Sequence, residues 1–477
     1  MSGFYVIGEK KVRPGIYKRV TNTGGSTGDG TRDGICVAVV TGNWGPINEV
    51  NVISNGDDYT RLLGTSGSGY DVVTEMFAGG ANSIVICRVG TGGKEATLTL
   101  KDASSSSADA ITVTAKYVGA RELSITVKDS LTEDGVKNII IFDGTKKLES
   151  FSISSAEEIT AAVEALSKSS YVVATKKASG TGKLALVSQA KLAGGSNPTV
   201  TTASYSAGFD AVEAEMSGAT TVLAVDTNDV AVHALLSAFA QRTYESGCYP
   251  ICCIGEPSSV DIDTRMQHAQ AFDAEQMVYV LNGWYDATGS VHDGYIAAAR
   301  IAGMIAAIAS NDSLTHKSIQ NAVSLAESMT NSQIVRALKS GCLVISTSSA
   351  KQVRVEKAIN TLTTLTADKD AGWKKIRRVK TRYELMYRVD AAVDGLTGSI
   401  NNDDDGRAAI IAAGQEVLDT MAGEQKLLPG AEMILDSSNP PEGDSAWFLI
   451  NPDDIDSFEI GYIAYGYRFA AEIDETE

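Results

Sequence analysis

One stretch of the sequence combines residue types that could bind a nucleotide. ASGTGKLAL (178–186) contains the Gly182-Lys183 pair of a phosphate-binding loop. A P-loop also needs glycine where Lys177 stands and a serine or threonine where Leu184 stands, because that hydroxyl binds the magnesium ion. Both requirements fail, so the sequence predicts no nucleotide site here.

Two other stretches and the histidines could carry metal or acyl-transfer chemistry. NNDDDG (401–406) has the early acidic positions of a calcium loop. Ala412 stands where a bidentate glutamate is required, so we interpret the stretch as a polar turn. GTSGSG (64–69) is not a nucleophile elbow, because Ser68 replaces the second glycine. No Ser/His/Asp set can be assigned from spacing, and the histidines are as well explained as surface residues: His233, His268, His292 and His316.

The six cysteines all fall in apolar, strand-like runs. They form no C-x-x-C pair, and the histidines are distant in sequence, so we expect buried thiols in a reducing compartment rather than metal ligands. The sequence therefore predicts no metal site, no cofactor and no enzymatic activity. The cysteines are Cys36, Cys87, Cys248, Cys252, Cys253 and Cys342.

The composition is that of a soluble globular chain with an acidic balance. Of the 477 residues, 43% are hydrophobic and 21% are charged, and the net charge is −18 at pH 7. This charge opposes binding to nucleic acid and to anionic membranes. The N-terminus lacks the apolar core of a signal peptide. The longest apolar helical stretch, 295–309, includes Arg300 and is shorter than the ~20 residues that span a bilayer, so we expect no membrane insertion.

Apolar strand-like runs alternate with helix-spaced segments along most of the chain. GICVAVVTG (34–42) and SIVICRV (83–89) flank a helical pattern, and the alternation resumes after residue 200. Strands separated by helices predict an α/β core with a mixed sheet. Between the two parts, Ser/Thr-rich runs such as AITVTAKYV predict a β-rich domain inserted into the core.

The resulting fold class is an α/β (α+β mixed-sheet) core domain split by a β-rich inserted domain, with extended strand arms at both ends. The first arm is basic and is followed by a Gly/Thr-rich joint, so its strand need not pair within its own domain. The predicted divisions are an N-terminal arm over 1–30, the core over 31–94 and 201–456, the inserted domain over 95–200, and a C-terminal strand arm over 457–477.

The two arms contain strand-like patterns. In the last arm, aromatic and aliphatic residues alternate, and the alternation changes phase near Gly461, which a bulge would allow. These two patterns are the candidate strands of the arms. Their residues are Gly15, Ile16, Tyr17, Lys18, Arg19, Val20, Phe458, Ile460, Tyr462, Ile463, Tyr465, Tyr467 and Phe469.

The stretch from Trp373 to Arg407 has an unusual order of charges. A cluster of cations comes first, and Thr381 and Glu384 then have the spacing of a capping box, which predicts a helix that starts at Thr381 and ends at Gly395 or Gly398. Cations at a helix N-terminus oppose the macrodipole. The cluster is either a solvated basic strand or a surface for an acidic partner. It comprises Lys374, Lys375, Arg377, Arg378, Lys380 and Arg382.

This same stretch, WKKIRRVKTRYELMYRVDAAVDGLTGSINNDDDGR, resembles the C-terminal region of contractile tail sheath proteins of phages and phage-tail-like particles. RPGIY (13–17), TGNWGPINEV (41–50) and FAGGANSIVICRV (77–89) also look like sheath segments. The resemblance extends from Arg13 to the C-terminal strand, apart from the inserted domain.

The resemblance implies a mechanical role without a nucleotide. Subunits would form hexameric rings stacked helically around an inner tail tube, with baseplate and tail terminator proteins as further partners. The arms would exchange strands between subunits, and the basic cluster 374–382 would face the tube. The protein would belong to a virion or phage-tail-like particle assembled in the host bacterial cytoplasm.

An alternative from a different class is a cytosolic α/β enzyme. Open α/β sheets bind ligands at the carboxyl ends of their strands, which here lie around Val225, Gly255 and Gly283. A tight small-molecule stoichiometry on the monomer would favour the enzyme, whereas concentration-dependent assembly into hollow cylinders would favour the sheath.

Overall fold

The structure is a computed structural model. It describes residues 34–467 except 155, 181, 217, 218, 367 and 368, and also the backbone of two short strands near the N-terminus. The chain divides into two compact units, Met1–Thr31 and Arg32–Glu477. In the first unit, β1 (Ser2–Phe4) and β2 (Ile16–Lys18) pair in parallel. Of the predicted arm strand, Ile16, Tyr17 and Lys18 thus lie in β2. Gly15, Arg19 and Val20 lie outside the described residues.

The second unit begins with a strand whose residues are all buried. Its apolar run alternates between the two faces of the sheet, so both faces must be covered by other elements. The elements of this first part are β3 (Ile35–Val40), β4 (Val50–Ser54), α1 (Thr60–Leu63), α2 (Ser68–Gly79) and β5 (Ser83–Arg88).

A β-rich domain follows, as its alternating Thr, Val and Ile residues predict. One sheet has the order β10-β9-β8-β12 and the other β11-β7-β6, and they enclose a shared core together with a helix. The elements are β6 (Thr97–Lys101), β7 (Asp109–Ala115), β8 (Leu123–Asp129), β9 (Lys137–Asp143), β10 (Lys146–Ile153), α3 (Glu158–Leu166), β11 (Val172–Lys176) and β12 (Val187–Lys191).

The chain then returns to the core, where strands and helices alternate again. The elements are α4 (Thr202–Val212), β13 (Thr221–Val225), α5 (Val230–Glu245), β14 (Pro250–Gly255), α6 (Ile262–Phe272), β15 (Met277–Val280), β16 (Trp284–Asp286), β17 (Val291–His292), α7 (Tyr295–Ala307), β18 (Ala322–Leu325), α8 (Asn331–Lys339), β19 (Cys342–Leu343), β20 (Ile345–Thr347) and β21 (Val353–Val355).

The central sheet has the order β19-β15-β14-β13-β3-β5-β4, and only the edge strand β4 runs antiparallel to its neighbour. Within β3, Cys36 and Ala38 face one hydrophobic core, to which α2 and α7 contribute. Val37 and Val39 face a second core, to which α4, α5 and α6 contribute. The predicted mixed α/β core, interrupted by a β-rich domain, is confirmed.

The C-terminal part begins with a 3-10 turn at Ala371–Lys374 and continues with α9 (Ile376–Asp394) and α10 (Asp404–Gly423). A two-stranded sheet follows, made of β22 (Met433–Leu435) and β23 (Phe448–Ile450). Gly395 forms the C-cap of α9, as one of the two predicted helix ends. The stretch 401–406, which we interpreted as a turn, starts α10, because the Asp403 carboxylate accepts the backbone N–H of Gly406 at 2.9 Å.

The start of α9 corrects our prediction from the sequence. The helix begins at Ile376 rather than at Thr381, so most of the supposed basic strand is helical. Thr381 lies inside the helix, where its hydroxyl donates to the Ser310 carbonyl at 2.9 Å, and no capping box forms with Glu384. The physical reason is tertiary packing. Ile376 and Val379 continue the apolar face of the helix into the first core, and their burial stabilises the earlier turn.

Among the described residues, the helices are too short or too polar to cross a lipid bilayer.

Candidate functional site: an anchored C-terminal segment

Two of the six basic residues, Arg377 and Lys380, are buried, and Lys374 is half-buried. Lys380 is 3% exposed and donates to the Ile305 carbonyl (2.7 Å) at the C-terminal end of α7, where the helix dipole favours a cation. Lys374 donates to the Thr363 carbonyl at 3.1 Å, and Arg377 is buried. Lys374 and Lys380 therefore tie the start of α9 to neighbouring segments of the same chain.

The other three basic residues bind carboxylates near the C-terminus. Nε and Nη2 of Arg378 each donate to one oxygen of Asp454, both at 2.6 Å. Nη2 of Arg382 lies 3.2 Å from the same carboxylate, and its Nη1 donates to Asp370 at 2.8 Å. The Arg382 guanidinium also lies 4.7 Å from the centre of the Trp373 ring. Paired, bidentate contacts of this kind fix both position and orientation.

Lys375 extends the same set of ion pairs. Its Nζ lies 2.7 Å from Asp456 and 3.1 Å from Glu459. The other oxygen of Glu459 accepts the hydroxyl of Thr315 at 2.9 Å. The Glu459 side chain is consequently only 8% exposed, although it stands in an otherwise exposed stretch.

The charges of this network are mutually stabilised. Burial opposes ionisation of Asp454, but the hydrogen bonds from Arg378 and Arg382 outweigh it and lower the pKa of Asp454 below its ordinary value. The hydrogen bonds that Arg378 donates to Asp454 in turn raise the pKa of Arg378. Both shifts favour the charged forms of Asp454 and Arg378.

The backbone supports the same segment. The N–H of Leu428 donates to the Asp453 carbonyl at 2.8 Å, and the N–H of Ile455 donates to the Lys426 carbonyl at 3.0 Å. We call residues 451–459 the root segment, because backbone bonds and ion pairs attach them to the body of the chain.

Beyond the root segment, residues 460–467 are exposed, and we call them the aromatic segment. Phe458, at the end of the root, is 88% exposed, and Tyr462 and Tyr467 are 94% and 90% exposed. Ile460, Ile463 and Tyr465 are also exposed. Phe469 lies outside the described residues. A row of large apolar side chains in solvent marks a surface for another molecule.

The predicted C-terminal strand is not formed within the chain. Residues 458–467 make no strand pairing. The bulge that we expected near Gly461, where the alternation of apolar residues changes phase, therefore does not form within the chain. A strand requires a neighbouring strand to satisfy its backbone N–H and C=O groups. Among the described residues this segment has no such neighbour.

The two-stranded β22–β23 sheet lies in the same C-terminal part of the chain and could accept a further strand. In the β22–β23 pair, Met433 packs against α10 residues such as Leu418 and Met421. On the other face, Ile434 and Leu449 stand opposite each other and are 45% and 42% exposed. Each strand has one partner strand among the described residues. Gln415 already donates to the Ala431 carbonyl and accepts the Met433 N–H beside β22, so the outer edge of β23 is the one left for a further strand.

The carboxyl ends of the core strands, where an enzyme would bind its ligand, are occupied by the protein itself. After β13, the Asp226 carboxylate accepts the N–H of Thr41 (2.9 Å) and the hydroxyls of Ser68 (2.6 Å) and Tyr205 (2.7 Å). An internal carboxylate thus fills the position between β3 and β13 where doubly wound folds hold a ligand.

The other two strand ends named for the enzyme alternative are closed by backbone. A Cβ atom added at Gly255 would lie 2.8 Å from the carbonyl oxygen of Gly294. One added at Gly283 would lie 2.0 Å from the carbonyl oxygen of His292. Backbone of residues 292–294 therefore packs directly against these two glycines.

A cavity of about 470 Å³ remains beside Asp226, and its polar lining consists of neutral groups such as Thr41, Asn43 and Ser66. In the described part of the chain, no three His, Cys, Asp or Glu side chains are grouped to hold a metal ion. Burial raises the pKa of the Cys36 thiol to about 12, so this cysteine is neutral and unreactive at pH 7.

The architecture defines a class of protein: an α/β core that is interrupted by an inserted β-sandwich and followed by a C-terminal segment whose aromatic side chains stand in solvent. Residues 199–361 match the phage tail sheath protein central domain, and residues 91–197 match the phage tail sheath protein beta-sandwich domain. The chain belongs to the phage tail sheath protein family.

Solved structures share this fold, and an uncharacterized curated protein is similar in sequence. The sheath tail protein of Desulfitobacterium hafniense is 23% identical, with a TM-score of 0.71 over 92% of this chain and 100% of that chain. The anti-feeding prophage helical sheath in its contracted state is 10% identical, with a TM-score of 0.52 over 96% of this chain and 99% of that chain. The Bacillus subtilis protein YqbK is 24% identical over 83% of this chain and 82% of its own length.

Proposed function

We propose that this protein is the subunit of a contractile tail sheath that surrounds an inner tail tube. Copies assemble in the host cytoplasm as stacked hexameric rings between a baseplate and a tail terminator. Contraction of the stack drives the tube through the target envelope. The energy is stored in the assembled lattice, so no nucleotide is needed during contraction.

One observation carries this proposal: an aromatic segment of eight described residues, 460–467, leaves a firmly attached root and makes no strand with its own chain. An exposed strand-like segment gains backbone hydrogen bonds and buries its side chains when it adds to the sheet of another molecule. The β22–β23 pair offers the outer edge of β23 and the exposed side chains of Ile434 and Leu449 for this addition. The N-terminal arm, residues 15–20, is proposed to take part in the same exchange.

Strand exchange suits a structure that must shorten without falling apart. An open helical lattice joins different patches of neighbouring subunits. Backbone bonds of a shared sheet survive when the bodies rotate as rigid units, whereas side-chain contacts between bodies are replaced. The arms are therefore the permanent links, and the surfaces of the bodies are the contacts that change.

Electron microscopy of shortened chains tests the proposal. A chain that ends at Glu459 is expected to fold as a monomer and to form no cylinders at concentrations where the full chain does. A matched control replaces Leu131, which is 95% exposed in the inserted domain, with serine, and should assemble normally. Cylinders formed by the shortened chain would refute strand exchange by the C-terminal arm.

The tube contact of Lys374, Lys375, Arg377, Arg378, Lys380 and Arg382 stays a prediction. The structure uses these residues inside the chain, and the charge left for a tube is that of partly covered side chains such as Lys375, which is 21% exposed. A Lys374/Arg377/Arg378→Glu variant is expected to lose tube binding, but the Arg378–Asp454 ion pair is lost as well. Tube loading must therefore be compared with that of a variant that alters only the root segment.

A further inference from the structure

We propose that α9 and the root segment form a clamp, which fixes the C-terminal arm to the body up to Glu459 and makes Ile460 the first residue free to reorient. The clamp consists of the cations Lys375, Arg378 and Arg382 with the carboxylates Asp454, Asp456 and Glu459. The use of the arm rests on the proposed function, but the clamp itself is a property of the single chain.

The change in exposure along the chain locates the end of the clamp. Phe458 and Ile460 are 88% and 62% exposed, yet the side chain of Glu459 between them is 8% exposed. Glu459 turns inward because Thr315 donates to one of its oxygens and Lys375 lies 3.1 Å from the other. Lys357 lies 4.0 Å from that second oxygen. From residue 460 to 467, comparable contacts with the body are absent from the described structure.

The clamp consists of several ion pairs and a backbone hydrogen bond rather than of one ion pair. Asp454 is held by two arginines, Asp456 by Lys375, and the backbone of Ile455 by the Lys426 carbonyl. Side chains of Asp454 and Glu459 are 7% and 8% exposed, so salt screens these pairs less than it screens surface pairs. To detach the arm from the body, several of these contacts must therefore break together.

The clamp also accounts for the unusual order of charges in α9. Cations in the first turns of a helix are disfavoured by its dipole. Here the positive charges of Lys375 and Arg378 are neutralised by Asp456 and Asp454, which lie near the C-terminus of the sequence. A strand-exchange arm needs a fixed origin, because the direction in which it leaves decides which neighbouring subunit it reaches.

Hydrogen exchange followed by mass spectrometry tests the clamp on the full chain, kept dilute so that it stays monomeric. In the unaltered protein, amides of 451–459 should exchange more slowly than those of 460–467. The Asp454→Asn/Asp456→Asn/Glu459→Gln variant should exchange about tenfold faster over 451–459, because these amides open locally. Asp453→Asn, an exposed neighbour, is the matched control and should leave the exchange unchanged.

If the triple variant does not fold, the Asp456→Asn/Glu459→Gln variant keeps the Arg378–Asp454 pair and should still release residues 456–459. The Lys375→Glu/Asp456→Lys variant reverses one pair and should recover part of the protection lost in Lys375→Glu. Equal exchange in 451–459 and 460–467 of the unaltered chain, or no acceleration in the variants, would overturn the clamp. A protected root in a chain that never polymerises would instead count against the proposed function and leave the clamp intact.

Discussion

Arg378 and Asp454 are 76 residues apart in the sequence and are joined by two parallel hydrogen bonds of 2.6 Å. Their side chains are 21% and 7% exposed, so the pair lies at the edge of the interior rather than on the open surface. This pair connects the third residue of α9 to the segment from which the C-terminal arm departs.

Substitution of Arg378 measures what this pair contributes. Arg378→Met should lower the free energy of unfolding by about 2 kcal/mol, because Asp454 loses both bidentate bonds while it remains largely buried. Arg378→Lys should lower it by about 1 kcal/mol, since the charge is kept and the planar fork is lost. Urea unfolding gives both values. A loss below about 0.5 kcal/mol for Arg378→Met would be that of an ordinary surface residue and would contradict our interpretation.

Glu384 should make the fold sensitive to acid. Its side chain is 3% exposed and lies 2.6 Å from Arg388 and 2.8 Å from Lys426. Burial opposes its ionisation, but the hydrogen bond from Lys426 and that from Ser310 lower its pKa below the ordinary value of 4.5. A lowered pKa means that this stabilisation is present above pH 4.5 and is lost as the pH falls through the folded-state pKa.

Glu384→Gln should therefore cost about 2 kcal/mol at pH 7, because Arg388 and Lys426 each lose one of two carboxylate partners and keep Glu424. The variant should also lose part of the decrease in melting temperature that the unaltered protein shows below pH 4.5. Melting curves of both proteins between pH 3 and 7 provide the measurement. Parallel curves over this range would show that Glu384 does not titrate with unfolding.

His292 should make the fold less stable as the pH rises, which is the opposite of the pH dependence expected for Glu384. Its ring stacks on Trp284, with 5.4 Å between centroids, and its two nitrogens lie 3.2 Å from Glu75 and 3.2 Å from Asp286. The Glu75 carboxylate raises the pKa of His292 above 6.5 against the effect of burial, and Asp286 adds to the increase. This stabilisation is complete below pH 6.5 and is lost as the pH rises through the folded-state pKa.

The difference in melting temperature between the unaltered protein and His292→Gln should accordingly be larger at pH 6 than at pH 8.5. The paired comparison cancels contributions from every other titrating group. A difference that grows toward alkaline pH would mean that the imidazole is held neutral.

Close packing at the end of β15 predicts a strong effect of one methyl group. Gly283→Ala would place a Cβ atom 2.0 Å from the His292 carbonyl oxygen and should destabilise the fold by about 3 kcal/mol. Gly423→Ala, at the end of α10, meets no atom within 4 Å and should be neutral or slightly stabilising. Equal stability of the two variants would show that the strand end is open after all.

The core could be predicted from the sequence because its signals are local. β3 is a run of β-branched and small apolar residues that follows Gly34, and such a run forms a strand buried on both faces whatever surrounds it. The start of α9 could not be predicted in this way. Thr381 and Glu384 have capping-box spacing, but burial of Ile376 and Val379 against the distant parts of the core outweighs a local cap.

Part of the candidate site could be predicted from the sequence. The exposed aromatic residues and the basic cluster stand out by composition, but their connection does not, because the partners of Lys375 and Arg378 lie more than seventy residues away. The missed residues are Asp454, Asp456 and Glu459. Their signal was the acidic stretch DDIDSFE (453–459), whose charge complements the cluster.

Cryo-electron microscopy of the assembled chain tests the central claim most directly. We predict a hollow helical polymer in which residues 460–467 of one copy form a strand beside β23 of another, while the root segment keeps its contacts with α9 of its own chain. A polymer, or a stable monomer, in which residues 460–467 fold back onto their own body would contradict the account.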